Sequence, residues 1–376
     1  MWQRNRKVRQ FAAFSPVFLQ PIIVSWLNIK GEPLNSRIIR TGVLVLSFAY
    51  SGFSVADHGS MGFGLGTASP IVTGTGITLP VGTWAIGERV QFINYDTASN
   101  DKLLGLANAN PPGDPRNDVH SVSSLLSPSM FAAYGVTDRL TLGVLLPYNM
   151  RANVRSPNED GDMVNKLGNS NGLGDTTFFA ENNVYRSADN LTYLSLIAGL
   201  RAPTGANRVK SRLGTPFEPH HQPGSGSWDP MFGLAFTRGM GVFSLDSSYM
   251  YLLSTAGTRD EEGHRVTQGD VFNYNVALSY AVGAPKIRSG LFAESNQSRW
   301  TLVLELNGEW RGQQKAARIS DPNSGSNVVY ISPGIRFAGG RNWNTGVSVG
   351  VPIVADFQGY QDPPSYRIIQ RFVFVF

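Results

Sequence analysis

The sequence predicts an all-β fold, a transmembrane antiparallel up-and-down β-barrel of about 12 strands in a Gram-negative outer membrane. Three observations predict it: a secretory leader, strand-length stretches in which apolar and polar residues alternate, and a last stretch, Tyr366 to Phe376, that ends on an aromatic ring. The composition agrees. Among 376 residues there are 41 Gly, 22 Pro, 21 Phe, 13 Tyr and 7 Trp, with only 16% charged residues, as tight turns and aromatic interfacial girdles require. Cysteine is absent, which excludes a disulfide framework, a thiolate metal site and a cysteine nucleophile.

The leader accounts for the positive charge. Arg4, Arg6, Lys7, Arg9, Lys30, Arg37 and Arg40 face a single acid, Glu32, within residues 1–56. Removing them from the 32 bases and 27 acids of the chain leaves 25 against 26, so the remainder carries −1 and offers nothing to nucleic acid. Arg37 and Arg40, the apolar run Thr41 to Phe53, and Ser54-Val55-Ala56 have the order of a secretory signal, with cleavage expected after Ala56. Residues 1–30 read as a start assigned too early or as an unusually long leader, the first being preferred. Residues 57–80, Gly-rich and nearly uncharged, form an N-terminal segment and candidate plug; residues 81–376 form the barrel.

Beyond Ala56 no stretch reaches the roughly 20 apolar residues of a membrane helix, so strands must do the spanning. Alternation and turn residues place strands at 83–96, 124–136, 140–154, 174–186, 191–203, 228–238, 242–254, 270–282, 300–311, 327–338, 342–354 and 365–376. In one, Phe272, Tyr274, Val276, Leu278 and Tyr280 share a face opposite Asn273, Asn275, Ala277 and Ser279. In another, Leu302, Leu304, Leu306 and Trp310 oppose Thr301, Glu305, Asn307, Glu309 and Arg311. Periodicity alone fits a soluble sandwich as well. Connections discriminate: 97–123, 155–173, 204–227, 255–269, 312–326 and 355–364 are long, whereas 137–139, 187–190, 239–241 and 339–341 are tight turns, with 283–299 the exception. Long external loops and short periplasmic turns are the habit of outer-membrane barrels.

Trp84, Tyr95, Tyr134, Tyr148, Tyr185, Trp228, Trp300, Trp310, Trp343 and Tyr366 fall near strand ends, as two girdles require. Glu88 shares the apparent lipid face with Ile86, Val90 and Phe92, which calls for a bulge or a rim position.

Candidate chemistry is sparse. His58, His120, His220, His221 and His264 all lie outside strands and no G-x-S-x-G elbow occurs, which counts against a barrel hydrolase. The adjacent His220 and His221 read as incidental residues of a Gly/Pro-rich loop, so no metal ligand, catalytic residue or cofactor is assigned. Gly62, Gly64 and Gly66 lack the strand and helix of a phosphate loop and read as a flexible terminus. The charges expected in the lumen are Arg89, Glu181, Arg201, Asp246, Glu305, Glu309, Arg311, Arg336 and Arg371. They either set the selectivity of a substrate pathway or pair across the lumen and satisfy one another.

Four stretches carry a resemblance: Leu79 to Gly87, Tyr134 to Val144, Gly172 to Thr176 and Gly199 to Gly205. In that order they resemble a family of outer-membrane proteins assigned to the meta-cleavage pathway of phenol degradation. The resemblance covers the first half of the mature chain and implies passage of small, aromatic or apolar compounds; it brings no catalytic residues. Physically, Thr137-Asp138-Arg139 is a tight turn whose Asp can bond the following backbone, and Pro203 ends a strand where no ladder donor is needed.

The expectation is therefore a passive outer-membrane channel for small molecules, not an enzyme. Its expected partners are outer-membrane lipid, the solute, and the barrel-assembly machinery, since the stripe Tyr366, Ile368, Phe372, Phe374 and Phe376 resembles the signal that machinery reads. Two rivals remain, a barrel enzyme acting on lipid and a sealed structural or adhesive barrel.

Overall fold

The computed structural model describes residues 70–111, 114–260, 263–283, 298–340 and 342–376. The leader with its cleavage site, Gly62 to Gly66, His58 and most of the 283–299 connection lie outside the described residues.

Thirteen hydrogen-bonded strands form one closed antiparallel sheet. Two of them, Val164–Leu173 and Thr176–Arg186, follow one another along the same neighbour, Leu140–Pro157, separated only by Gly174 and Asp175. The wall therefore has twelve staves, at the places the alternation marks. Closure joins Trp84–Tyr95 to Pro364–Val375, with Arg89 opposite Arg371, and the Phe376 and Trp84 backbones exchange hydrogen bonds of 2.8 and 3.0 Å beyond the last strand.

Burial decides between membrane barrel and soluble sheet, because here the usual preference is inverted. Met130, Phe178 and Leu302 are 71%, 51% and 49% exposed, whereas Glu305, Asp246 and Arg371, on the other face of the sheet, are 0%, 1% and 2% exposed. Along Val271–Ala281, Asn273, Asn275 and Ser279 are buried while Val276, Leu278 and Tyr280 face outward. A closed wall with an apolar outside and a polar inside spans an outer membrane, since only hydrocarbon favours that arrangement and only closure leaves no strand edge unpaired. Aromatics gather at the end that carries the short turns: Trp84 lies 4.8 Å from Tyr134, and Phe337 lies 4.7 Å from Trp300 and 5.4 Å from Trp343, between ring centroids. Tyr95 does not join a girdle; it is 4% exposed and packs inward with Ile93 and Leu125.

Several local expectations are corrected. The ladder runs regularly through Glu88, which faces Met130 and Phe372 across its two neighbours, so there is neither bulge nor rim there. A carboxylate on the lipid face is unfavourable. We expect Glu88→Leu to raise the stability of the barrel in lipid vesicles by about 1 kcal/mol, read as a higher urea midpoint; an unchanged or lower midpoint would show that the carboxylate is not in hydrocarbon. In the 137–139 turn it is the Thr137 hydroxyl, not Asp138, that accepts from the Arg139 and Leu140 amides, at 3.2 and 3.0 Å.

The long connections hold more structure than their composition suggests. Most of 155–173 is strand, because Leu140–Pro157 continues past the wall and pairs with Val164–Leu173. Asn153, at φ 54°, sits in the bulge that bends this hairpin. Connections 255–269 and 312–326 contribute a small four-stranded sheet. The 97–123 connection carries the helix Asn100–Ala107, capped by the Ser99 hydroxyl on the Lys102 amide.

Candidate functional site in the lumen

Because side chains alternate along a strand, every second residue of each stave points into the interior. Of the nine charges named above, Arg89, Glu181, Asp246, Glu305, Arg336 and Arg371 are at most 9% exposed, and Arg201, Glu309 and Arg311 lie on the buried phase of their strands. Arg371, Arg336, Glu305 and Arg89 are close enough for their charges to interact, as are Arg336 and Asp246. Asp246 accepts from Thr237 and Ser244 at 2.6 and 3.0 Å. Arg201 is held by Asp229 at 2.5 Å and Arg311 by Glu309 at 2.9 Å, so these two guanidiniums are locally paired.

Sequence reasoning omitted two inward groups: Arg151 is 2% exposed and donates to the Gln222 carbonyl at 3.3 Å, and Asp229 anchors Arg201. Arg367, which the alternation of the last strand turns inward beside Arg371, lies 4.1 Å over the Tyr330 ring and donates to Asn307. Strand phase alone marks Arg151, two residues beyond Asn149 on the inward face, whereas Asp229 sits at a strand start where phase is not yet established.

The lumen has two unlike sides. Basic groups come chiefly from the first strand and from Ser326–Gly339 and Pro364–Val375. Phe131, Phe179, Ile197, Met231, Met250, Leu252 and Val271 form one apolar cluster with Leu79, joined by Ala85 and Val373 of the first and last strands. Glycine lets these rings lie against the wall. A Cβ on Gly143 would come within 2.0 Å of the Phe179 ring and one on Gly87 within 2.7 Å of Phe131.

Toward the outer mouth the two sides meet in a recess lined by Arg89, Arg151, Arg201, Arg311, Leu145 and Val271, among others. Four guanidiniums share it with one carboxylate, Asp175, which is occupied by the amides of Gly205 and Ser225 and the Ser225 hydroxyl. The arrangement can attract an anion and hold an apolar body beside it.

The inner half is crossed by the chain itself. The Ile71, Val72 and Thr73 amides donate to the Glu305 carboxylate at 2.8 to 3.4 Å. Gly74 then donates to Ser248, Gly76 donates to Thr237 and accepts from Ser195 and Asn183, and Leu79 donates to Thr141. Ile71 and Val72 pack on Ala277, Val303 and Ile369. Residues 71–79 thus traverse half the circumference, from mid-wall down to the turn at 137–139.

At the outer mouth the loops bring together histidines that the sequence separates. His120 Nε2 lies 2.8 Å from Glu218 Oε1 and 3.7 Å from Asp118 Oδ1, with the His220 and His221 rings 5.4 and 4.9 Å away. Burial disfavours the His120 cation, but Glu218 and Asp118 outweigh it and push its pKa up to about 10; burial pushes His220 down to about 4.

Comparison with known proteins accords with this architecture. The sequence profile described as "Putative MetA-pathway of phenol degradation" matches residues 132–372. No curated protein matches the chain. The crystal structure of an outer membrane channel from Pseudomonas putida F1 is similar with a TM-score of 0.54 and 19% identity, over 80% of this chain and 97% of that one, which supports the fold. The toluene transporter TodX of Pseudomonas putida (TM-score 0.36, 8% identity, 86% and 98% covered) and LpxR from Salmonella typhimurium (0.38, 13%, 78% and 99%) also superpose, too loosely to carry an argument.

Proposed function

The chain belongs to the family of the putative MetA pathway of phenol degradation, and we propose that it is an outer-membrane channel for small aromatic or apolar compounds, those bearing an acidic group foremost. The observation that carries this is the recess in which Arg89 and Arg151 stand beside Leu145 and Val271. An aromatic acid would lay its ring on the apolar side, a contact that stabilises by roughly 2 kcal/mol, and its carboxylate against the guanidiniums. A sugar would gain neither.

Passage needs no cofactor and no catalytic step: the solute moves down its gradient once residues 71–79 shift or leave room. Those residues act as the plug of the inner half in this reading, and the nine predicted charges, with Arg151 and Arg367, line the pathway. The barrel-assembly machinery is the partner proposed for folding, through the aromatic stripe that ends at Phe376.

Proteoliposomes holding the purified barrel test the reading. Benzoate should enter faster than glucose, and faster than in protein-free vesicles. Equal rates for the two solutes would overturn the proposed substrate class, and no entry of either would favour a sealed barrel.

A further inference from the structure

The cluster at the outer mouth has the donor set and spacing of a metal site. One nitrogen each from His120 and His221 and one oxygen from Glu218 lie within 4.8 Å of one another. Zinc held tetrahedrally by imidazole nitrogen and carboxylate oxygen at 2.0–2.2 Å places its ligand atoms roughly 3.3–3.5 Å apart. Side-chain rotations of a few tenths of an ångström to about 1 Å therefore separate this arrangement from a coordination shell.

Two loops supply the ligands and both are anchored. Glu218-Pro219-His220-His221 is a turn closed by the His221 amide on the Glu218 carbonyl at 2.9 Å, with Pro219 fixing its second position, so Glu218 and His221 stand side by side. The turn is pinned below by Gln222, whose amide group bonds the Phe217 carbonyl at 2.5 Å and both backbone groups of Val209, and by the Ser170 hydroxyl on the His221 carbonyl at 2.7 Å. His120 precedes Ser121, whose backbone exchanges two 2.9 Å hydrogen bonds with Arg155. The cluster borders a partly open cavity that Asp118, His220 and Asp321 also line, giving a path to solvent and acidic groups in the outer shell.

We propose that His120, Glu218 and His221 bind a divalent transition metal, Zn²⁺ by the nitrogen and oxygen donor set, and that the ion ties the 97–123 loop to the 204–227 loop over the channel mouth. The ion replaces the proton shared between His120 Nε2 and Glu218 Oε1, which is released to solvent, and no redox step is involved. His220, whose Nδ1 lies 3.5 Å from Glu218 Oε2, is next in reach for the fourth position.

Calorimetric titration of the EDTA-treated, tag-free, folded barrel with ZnCl₂ tests this. One Zn²⁺ per chain at micromolar affinity or tighter is expected, weakened roughly tenfold or more by His120→Gln and by Glu218→Gln, and unchanged by His264→Gln at a separate loop. Absence of stoichiometric binding, or equal binding by His120→Gln and the parent, would overturn the proposal. Should either variant fail to fold, the Co²⁺ spectrum of the parent decides: intense tetrahedral bands support the site, and only the weak bands of a hydrated octahedral ion refute it.

Discussion

Replacing Glu305 with Ala is expected to open the channel. Its carboxylate accepts from the amides of Ile71, Val72 and Thr73, and the residue is wholly buried. Its removal strands three donors, at about 1–3 kcal/mol each before relaxation. It also takes a negative charge from among Arg89, Arg336 and Arg371. Even a net 3 kcal/mol loss, at about 1.4 kcal/mol per decade, shifts the docked segment toward release by about a hundredfold. Single-channel recording should then show a several-fold larger conductance, matched by a chain lacking residues 71–79, while Glu305→Gln, which keeps an acceptor oxygen, falls between. If both Glu305→Ala and the deletion conduct like the parent, residues 71–79 do not obstruct the pathway.

Neutralising the recess should change what passes. Arg89 and Arg151 line the recess together with Arg201 and Arg311, which pair with Asp229 and Glu309. The double substitution Arg89→Gln, Arg151→Gln removes two positive charges from a partly enclosed space, where each charge-assisted contact is worth roughly 1.5–3 kcal/mol. Benzoate entry should fall at least tenfold while entry of an uncharged aromatic such as benzyl alcohol stays near the parental rate. Equal losses for both solutes would mean the arginines only shape the wall.

The wall was legible in sequence because a barrel stave is constrained on both sides at once. Hydrocarbon selects Leu302, Leu304 and Leu306, and the interior selects Glu305 and Asn307 between them, so each residue reports its own phase. Outside the membrane that constraint lapses. The hairpin of Leu140–Pro157 with Val164–Leu173 continues above the wall, where one face packs on the 204–227 loop through Val154, Leu167, Val209 and Phe217 rather than on lipid or lumen, and it reads as loop in the alternation. His120 and His221 are brought together by a Pro-initiated turn and by loop anchoring through Gln222 and Arg155, none of which has a period. Glu88 stands for the opposite limit, a residue that breaks the pattern while the backbone ignores it.

The position of residues 71–79 also dictates an order of events during biogenesis. Ile71 bonds a side chain 234 residues further along, and the seam that seals the wall joins Trp84 to Phe376. The first strand must therefore wait, with one edge vacant, until Pro364–Val375 has joined the sheet. Contacts so distant in sequence form slowly, yet the segment cannot be threaded easily into a finished cylinder. It is best laid along the growing curved sheet and enclosed as the last strand zips to the first, so that the wall closes around residues 71–79.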